Sequence, residues 1–294
     1  MVSRSAFVEA ACRAEALARR TSLGIGGRPD YLFEPRTEAH AAAVVRLCRE
    51  EGVPLRYLGG GYNLLVRDSH LEGAVLATTE LRYLRVHADR VAVGAGNSFQ
   101  SLVKRSIELG VPGVAGCPGI PGTVGGVVFM NAGGRFGTVS DGLIDVSFLD
   151  PEGTPRRRSV EDGDFGYRTS AFDGCLVTGA VFRRDPALTP EHQRRVYDEA
   201  LTWKKATQPL RARSAGCIFK NPRGRSDLSA GALIERAGLK GRRIGGARFS
   251  AVHANFIEND ETASAADVHA LIRLAQREVK ARFDVELETE VHIW

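Results

Sequence analysis

The sequence predicts a mixed α+β protein of more than one domain, and three observations support this prediction. The chain has 294 residues, about twice the ~150 residues of a typical domain. Short strand-like segments alternate with helical segments along its whole length. Hydrophobic residues make up 43% of the sequence and charged residues 26%, which is typical of a globular protein and excludes a disordered chain.

Local signals place the elements of the first half of the chain. Thr37 is a helix N-cap residue before an Ala-rich pattern, and Gly52 ends that pattern. A second helix begins at Asn97 or Ser98 and ends at Gly110. Strands are predicted over 54–58, 73–77, 81–86 and 90–95.

In the second half, strands are predicted over 143–149 and 175–182. Thr189 and Pro190 open a polar helix that runs to about Lys205, and we place a domain boundary just before this helix.

The last helix is marked by Ser264 and Asp267, which have capping-box spacing. Its apolar stripe predicts a face that packs in a core and consists of Val268, Leu271, Ile272, Ala275 and Val279. The segment 285–293 is predicted to be a closing strand.

Residues 109–134 carry no charge, and this stretch is longer than the ~20 residues that a membrane-spanning helix needs. Its high content of glycine and proline excludes a helix in lipid. We therefore predict a buried or ligand-lining loop region here and no membrane partner. The first residues of the chain lack the apolar core of a signal peptide.

The cysteines are five in number and isolated, without a C-x-x-C pair. An odd number of isolated cysteines predicts neither a disulfide framework nor a metal site. A reducing cytoplasmic location fits this pattern best. We also expect the protein to be a monomer.

Glycine is enriched, at 33 of 294 residues or about 11% against a usual ~7%, and it is clustered. Three clusters lie at 24–27, 59–61 and 119–126, and each by itself is compatible with a tight turn and nothing more. Taken together, their backbone N–H groups could converge on one anion, and a dinucleotide is the natural ligand for so many donors.

Two familiar phosphate-binding motifs are excluded by spacing. No Gly-Lys pair is followed by Ser or Thr, as a P-loop requires. Gly94 and Gly96 begin a dinucleotide fingerprint, but Phe99 occupies the position where a helix and a strand must pack closely. We therefore reject a Rossmann domain.

Positive charge is concentrated in residues 201–250, which contain twelve Lys or Arg against Asp227 and Glu235, a net +10. The whole chain is +5, so the remainder is −5. This asymmetry predicts an anionic partner.

Several motifs, taken in order, together resemble the UDP-N-acetylenolpyruvoylglucosamine reductase (MurB) family. Along nearly the whole chain these motifs are Thr21–Gly27 (TSLGIGG), Leu58–Leu65 (LGGGYNLL), Gly119–Gly126 (GIPGTVGG), Met130–Gly133 (MNAG), Phe165–Ser170 (FGYRTS), Ser214–Pro222 (SAGCIFKNP), Ala237–Gly241 (AGLKG), His253–Phe256 (HANF) and Leu287–Val291 (LETEV).

The resemblance implies a flavin-binding domain of the vanillyl-alcohol-oxidase/PCMH type, which has two α+β lobes, followed by an α+β substrate-binding domain. We assign the lobes to residues 1–80 and 81–187 and the substrate-binding domain to 188–294, whose last strand could return to the first lobe. The implied cofactor is non-covalent FAD, and NADPH is the implied hydride donor. The implied reaction reduces UDP-N-acetylglucosamine-enolpyruvate to UDP-N-acetylmuramate, a peptidoglycan precursor.

The resemblance also implies three catalytic residues. Arg168 matches the arginine that polarises the substrate carboxylate, and Glu290 matches the carboxylate that assists it. Cys217 stands where many family members have a serine that donates the proton to C2. A thiol with an ordinary pKa of ~8.5 is mostly protonated at pH 7, so it can serve as this donor. Without the motifs, each of these residues would be interpreted as a surface charge or an inert buried thiol.

Cofactor and substrate contacts follow from the same motifs. The predicted FAD-binding residues are Gly59, Gly60, Gly61, Tyr62, Asn63, Leu64, Gly119, Ile120, Gly122, Thr123 and Gly126. The predicted substrate-binding residues are Tyr167, Lys220, Asn221, His253 and Asn255. The family more often has serine at the position of Tyr62, whose phenol either packs along the cofactor or covers the loop.

Two other functions are compatible with parts of the sequence. A flavin oxidase of the same superfamily would often carry a covalent flavin link, and no motif here assigns one. A nucleic-acid-binding protein would interleave aromatic residues with its basic run, whereas aromatics are only 7% of this chain. We therefore expect no nucleic-acid partner.

Overall fold

Helices and strands alternate along residues 5–294, the part of the chain that the structure, a computed structural model, describes; the side chain of Ala6 lies outside this part. The α-helices are α1 (Ser5–Arg13), α2 (Glu38–Glu50), α3 (Phe99–Leu109), α4 (Val124–Phe129), α5 (Pro190–Thr207), α6 (Ala230–Arg236) and α7 (Ala265–Phe283). Short 3-10 helices are formed by Leu17–Arg19, Val114–Gly116 and Val139–Gly142.

The strands run from β1 to β18. They are β1 (Pro29–Phe33), β2 (Leu55–Leu58), β3 (Leu64–Leu65), β4 (Leu71–Ala77), β5 (Leu84–Val86), β6 (Arg90–Gly94), β7 (Gly133–Gly134), β8 (Gly137–Thr138), β9 (Leu143–Leu149), β10 (Pro155–Ser159), β11 (Phe165–Gly166), β12 (Thr169–Ser170), β13 (Leu176–Arg183), β14 (Arg213–Cys217), β15 (Arg243–Ile244), β16 (Ala247–Phe249), β17 (Phe256–Asn259) and β18 (His292–Ile293).

The chain divides into two units. Among the described residues, the first unit contains 5–14, 30–60 and 72–204, and the second contains 15–29, 61–71 and 205–294. The division therefore falls inside α5. The lobe and domain boundaries that we assigned from the sequence remain predictions.

In the first unit, β1, β4 and β2 form a three-stranded sheet in which β2 and β4 are parallel. Helix α2 packs its buried face, which includes Val44 and Cys48, against Ala74 and Leu76 of this sheet. The Oγ1 atom of Thr37 accepts a hydrogen bond from the N–H of His40, which confirms the predicted N-cap.

A five-stranded antiparallel sheet, in the order β10-β9-β13-β6-β5, forms the rest of the first unit's core together with α3 and α4. Strand β5 begins at Leu84 and not at the predicted residue 81, because the N–H of Leu81 donates to the carbonyl of Thr78 in a turn. Helix α3 ends at Gly110 in the left-handed conformation, as predicted.

The uncharged stretch 109–134 is more ordered than predicted. It contains the 3-10 helix Val114–Gly116 and helix α4, so the predicted loop region is partly helical. Its valines are buried, which agrees with the predicted burial of this region. Only glycine fits at position 125 of α4, because a Cβ atom there would lie 2.8 Å from the Cβ of Ala95, the residue that follows β6. Close packing of α4 on the sheet therefore outweighs the low helix propensity of glycine.

The second unit has a four-stranded antiparallel sheet in the order β14-β17-β16-β15, and α6 and α7 share a buried core with it. Ser264 and Asp267 form the predicted capping box at the start of α7. The apolar stripe of α7 is buried from Val268 to Val279, which confirms the predicted core face.

The predicted closing strand 285–293 was wrong for most of its length. Buried Val285 and Leu287 do alternate with exposed neighbours, as in a strand. However, the carbonyl of Leu287 accepts a hydrogen bond from the side chain of Gln276 on α7, and only a single bridge at Thr289 and the short β18 pair with other strands. The alternation predicts an extended segment but not its pairing partner.

No helix in the described part of the chain combines the length and the apolar composition that crossing a bilayer requires.

Candidate active site

The glycine loop after β2 presents a run of open backbone donors. Within residues 5–294, the N–H groups of Gly59, Gly60, Gly61 and Tyr62 make no hydrogen bond. Gly61 has a φ of +68°, which an L-residue adopts only with strain. Successive unpartnered N–H groups at a strand end form a concave site that favours an anion.

A second glycine-rich segment of the first unit comes close to Gly59. A Cβ atom at Gly59 would lie 2.8 Å from the Oγ1 of Thr123 and 4.0 Å from the nitrogen of Gly126. The hydroxyl of Thr123 is buried, has no partner among the described atoms and does not cap α4, which it precedes. The open hydroxyl and the absence of a side chain at Gly59 leave a polar cradle that a cofactor can fill.

The loop that leads into Thr123 is held by the protein itself. The side chain of Gln100 accepts a hydrogen bond from the N–H of Gly119 (3.1 Å) and donates one to the carbonyl of Ile120. The carbonyl of Gly122 accepts from the N–H of Phe99 (3.0 Å). Gln100 therefore fixes the shape of the loop, and sequence reasoning missed it because a glutamine on α3 carries no distinctive signal.

Asn63, the residue after Tyr62, is bonded to the end of the chain within the second unit. Its Nδ2 donates to the carbonyl of Glu290 (3.0 Å), and its own carbonyl accepts from the N–H of His292 (3.1 Å). Leu64, the next residue, is buried in β3 and pairs with β18. Tyr62 is 43% exposed, so its phenol covers the loop only in part.

Arg168 lies in the first unit, in the two-residue turn between β11 and β12. Its φ is +59°, a strained value for an arginine. Its guanidinium donates to the carbonyl of Gly133 (3.2 Å) and lies 5.3 Å from the ring centre of Tyr167. These contacts hold the guanidinium in place. A planar, delocalised cation of this kind suits bidentate binding of a carboxylate.

Asn131 stands beside this turn and was missed in the sequence, although it lies in the Met-Asn-Ala-Gly motif. Its Nδ2 donates to the carbonyl of Gly166 (2.9 Å), and its Oδ1 is buried without a partner among the described atoms. Its φ of 41° is a second strained backbone near Arg168. An open buried acceptor and backbone strain are both typical of a ligand site.

Cys217 ends β14 in the second unit. Gly216, with a φ of +76°, lies in an irregularity of the β14–β17 pairing between Ser214 and Cys217. A Cβ atom at Gly216 would meet no atom within 4 Å, so space is open beside the strand. Such bulges re-aim a side chain, here the half-buried thiol of Cys217.

Asn255 fixes the backbone that follows Cys217. Its Oδ1 accepts from the N–H of Phe219 (3.0 Å), and its Nδ2 donates to the carbonyl of the same residue (2.8 Å). Its own carbonyl accepts from the N–H of Ile218 (2.8 Å). Glu290 in turn donates its N–H to the carbonyl of Ile218 (2.7 Å), so Cys217 and Glu290 lie on directly paired segments.

Three further predicted substrate residues, Lys220, Asn221 and His253, lie in the second unit. Lys220 forms an ion pair with Glu288 at 2.5 Å, and this pairing lowers the pKa of Glu288 below its ordinary value. The Oδ1 of Asn221 accepts from the N–H of Ala230 at the start of α6 (3.0 Å). Burial lowers the pKa of His253 below its ordinary value, which favours the neutral ring.

Comparison with known proteins decides the family. A family model of the FAD binding domain matches residues 29–159, and the model of the UDP-N-acetylenolpyruvoylglucosamine reductase C-terminal domain matches residues 208–294. A reductase of this name from Trichormus variabilis is 39% identical over 279 residues, which are 94% of this chain and 83% of the relative. The chain belongs to the UDP-N-acetylenolpyruvoylglucosamine reductase family.

Further relatives agree with this assignment. The reductase of this family from Protochlamydia amoebophila is 40% identical over 272 residues, 92% of this chain and 89% of that one. The crystal structure of the Thermus caldophilus reductase is similar with a TM-score of 0.78 at 35% identity, covering 96% of this chain and 98% of that one. The predicted vanillyl-alcohol-oxidase type of FAD-binding domain and the C-terminal domain of the family are thereby confirmed.

Membership in the reductase family makes this chain an FAD-dependent oxidoreductase, as the sequence predicted. The residues present fit FAD. The open N–H groups of 59–62 and the unpartnered hydroxyl of Thr123 are donors of the kind that a pyrophosphate requires. Gly59 leaves the space in front of that hydroxyl clear.

Proposed function

We propose that this protein reduces the enolpyruvyl ether of UDP-N-acetylglucosamine-enolpyruvate to the lactyl ether of UDP-N-acetylmuramate, with NADPH as the hydride donor. Family membership supports this substrate. The net +10 of residues 201–250 supports it as well, because the sugar nucleotide and NADPH are both polyanions. The isolated cysteines favour the reducing conditions of the cytoplasm as its setting.

FAD, when bound, supplies the transfer of hydride from NADPH to C3 of the vinyl ether. We propose that it contacts the backbone donors of residues 59–62 and the hydroxyl of Thr123. The further cofactor-lining residues of the proposal are Asn63, Leu64, Gly119, Ile120, Gly122 and Gly126.

Cys217 is the proposed proton donor to C2. The irregular strand end at Gly216 leaves space beside the thiol, which a substrate can enter. A thiol keeps its proton at neutral pH but releases it far more readily than a serine hydroxyl, so it can protonate a carbon that becomes electron-rich.

Arg168 and Glu290 are the proposed groups that polarise the substrate carboxylate. Hydride addition at C3 leaves negative charge at C2, and this charge is stabilised when it spreads into a carboxylate held by a cation. The guanidinium of Arg168 is suited to bind both carboxylate oxygens. Tyr167, Lys220, Asn221, His253 and Asn255 are the proposed substrate contacts.

One observation supports both the assignment of Cys217 as the proton donor and that of Glu290 as the assisting carboxylate. Glu290 and Cys217 are far apart in the sequence, yet Glu290 donates its N–H to the carbonyl of Ile218, the residue after Cys217. Because this pairing lies wholly in the second unit, the two side chains have a fixed backbone frame for acting on one substrate.

The test separates the two half-reactions. In a stopped-flow experiment, NADPH first bleaches the visible absorbance of the flavin, and the enolpyruvyl sugar nucleotide then restores it. Cys217→Ala is expected to leave the bleaching unchanged and to slow the restoration by about 10²–10⁴-fold, the usual contribution of a general acid. Cys217→Ser, which keeps a proton donor, is expected to retain substantial turnover.

Equal rates of restoration for the wild type and Cys217→Ala would remove Cys217 from this role. Protein that does not bind FAD, or that is bleached but never restored by this substrate, would contradict the proposed function as a whole.

A further inference from the structure

The segment 288–294 is paired with the strand that carries Cys217. The N–H of Lys220 donates to the carbonyl of Glu288 (2.9 Å), and the N–H of Glu290 donates to the carbonyl of Ile218 (2.7 Å). A bridge between Phe219 and Thr289 lies between these two bonds. The side of the segment that leads up to Glu290 is therefore held by the strand of the proposed proton donor.

The part of the segment beyond Glu290 is paired with the chain that follows the open glycine loop. The N–H of His292 donates to the carbonyl of Asn63 (3.1 Å), and the N–H of Trp294 donates to the carbonyl of Leu65 (2.9 Å). Strand β18 is parallel to β3 in this pairing. The same segment thus joins the Cys217 strand to the residues directly after the run of open N–H groups.

The side chain of Asn63 adds a hydrogen bond to Glu290, one of the proposed catalytic residues. Its Nδ2 donates to the carbonyl of Glu290 itself (3.0 Å), and Asn63 directly follows Tyr62, the last of the four open donors. Asn63 therefore holds both Glu290 and His292, on either side of Val291.

We propose that Asn63 is a positioning residue that couples the anion-binding loop 59–62 to the placement of Glu290. This inference rests on the proposed function of Glu290. When phosphate oxygens accept hydrogen bonds from the loop, the loop backbone is fixed, and Asn63 at its end is fixed with it. Its amide then holds the Glu290 backbone in one place.

The physical need for this amide lies at the carbonyl of Glu290. Backbone bonds hold the N–H groups of Glu290 and Val291 on the carbonyl of Ile218, whereas the Asn63 amide holds the carbonyl of Glu290. A misplacement of about 1 Å in a catalytic group can cost roughly a hundredfold in rate. When FAD fixes the loop 59–62, Asn63 is fixed as well. The hydrogen bond from its amide then restrains the backbone of Glu290.

The chain offers a matched control for the test. Asn63→Asp keeps the size of the side chain, removes its amide donor and adds a negative charge. Asn259 also donates its Nδ2 to a backbone carbonyl of the second unit, that of Leu23, while its Oδ1 accepts from the N–H groups of Glu261 and Ala263. Asn259→Asp therefore removes the same kind of donor away from Glu290.

The first measurement is amide hydrogen exchange with and without FAD, read on the peptide that contains residues 288–294. FAD is expected to slow exchange there in the wild type and in Asn259→Asp. In Asn63→Asp this slowing is expected to be lost, although FAD is bound at saturation. Asn63→Ala, which removes the donor without adding a charge, is expected to behave as Asn63→Asp does.

The second measurement is the pH profile of the oxidative half-reaction. Asn63→Ala, measured at saturating FAD, is expected to slow this half-reaction about tenfold to a hundredfold and to shift its pH dependence, because Glu290 is displaced. Asn259→Asp is expected to change neither the rate nor the pH profile.

Equal protection of 288–294 by FAD in Asn63→Asp, Asn63→Ala and Asn259→Asp would overturn the coupling. A different result would contradict the proposed function instead: if Glu290→Gln leaves the oxidative half-reaction unchanged, Glu290 does not act on the substrate, and the exchange data still decide whether Asn63 couples loop and segment.

Discussion

The two glycine-rich loops at 59–62 and 119–122 look alike in sequence but differ in where their backbone groups bond. The N–H groups of 59–62 have no partner in the described chain. In 119–122, Gln100 bonds the N–H of Gly119 and the carbonyl of Ile120, and the N–H of Ile120 donates to the carbonyl of Cys117, so that only the N–H of Gly122 stays open among the described residues. Glycine content thus predicts a tight turn, whereas the neighbouring side chains decide whether the turn keeps donors for a ligand.

The open donors of the second loop lie at its end, directly before α4, and are the N–H groups of Gly122 and Thr123 and the hydroxyl of Thr123. The Thr123 hydroxyl is buried and open, and it faces the position where Gly59 lacks a side chain. We therefore expect FAD binding at the first loop to depend on the shape of the backbone, and FAD binding at the second loop to depend on the hydroxyl of Thr123. Substitutions in each region test the two expectations separately.

The largest effect is expected for Gly61→Ala. The new Cβ atom would lie 2.0 Å from the carbonyl oxygen of Arg20, and the φ of +68° is strained for alanine. We expect the free energy of unfolding to fall by about 3–5 kcal/mol and bound FAD to be lost. Thermal unfolding and the flavin absorbance of the purified protein measure these two effects.

The control is Gly134→Ala, because a Cβ atom at Gly134 would meet no atom within 4 Å. We expect its stability and flavin content to match the wild type. Retention of FAD and stability by Gly61→Ala would show that the first loop does not depend on its backbone shape.

An intermediate effect is expected for Thr123→Val, which should weaken the binding of FAD but not lower the stability of the protein without FAD. Without FAD, removal of a buried hydroxyl that has no partner leaves the free energy of unfolding unchanged or raises it by about 1 kcal/mol. Affinity for FAD is expected to fall about tenfold, which corresponds to ~1.4 kcal/mol. Titration of the apoprotein with FAD, followed by flavin fluorescence, measures the affinity.

Thr123→Ser keeps the hydroxyl and is expected to retain most of the affinity. If Thr123→Val binds FAD as tightly as the wild type does, the open hydroxyl is not a cofactor ligand.

The smallest effect is expected for Gln100→Ala, which removes two hydrogen bonds from the 119–122 loop. We expect a loss of about 1 kcal/mol in the free energy of unfolding and a smaller loss of FAD affinity than for Thr123→Val. Gln100→Glu keeps the acceptor for Gly119 and is expected to fall between Gln100→Ala and the wild type. A larger loss of FAD affinity in Gln100→Ala than in Thr123→Val would reverse the comparison.

Much of the fold was predictable because its signals are local. The cap at Thr37, the end of α3 at Gly110 and the capping box of α7 each depend on residues within one turn of the helix end. The predicted strand at 285–293 failed because strand formation needs a partner from elsewhere in the chain. Helix α4 was missed because Gly125 is favoured there only by its close packing against Ala95.

The sequence by itself determined the family, the flavin-binding fold and the residues proposed for catalysis, since ordered motifs carry this information directly. Only the tertiary structure decided which glycine turn keeps open donors, that the Thr123 hydroxyl has no partner, and that Asn63 holds the backbone of Glu290. These features depend on atoms from distant parts of the chain. Hydrogen bonds between such atoms leave no signature in local composition or spacing.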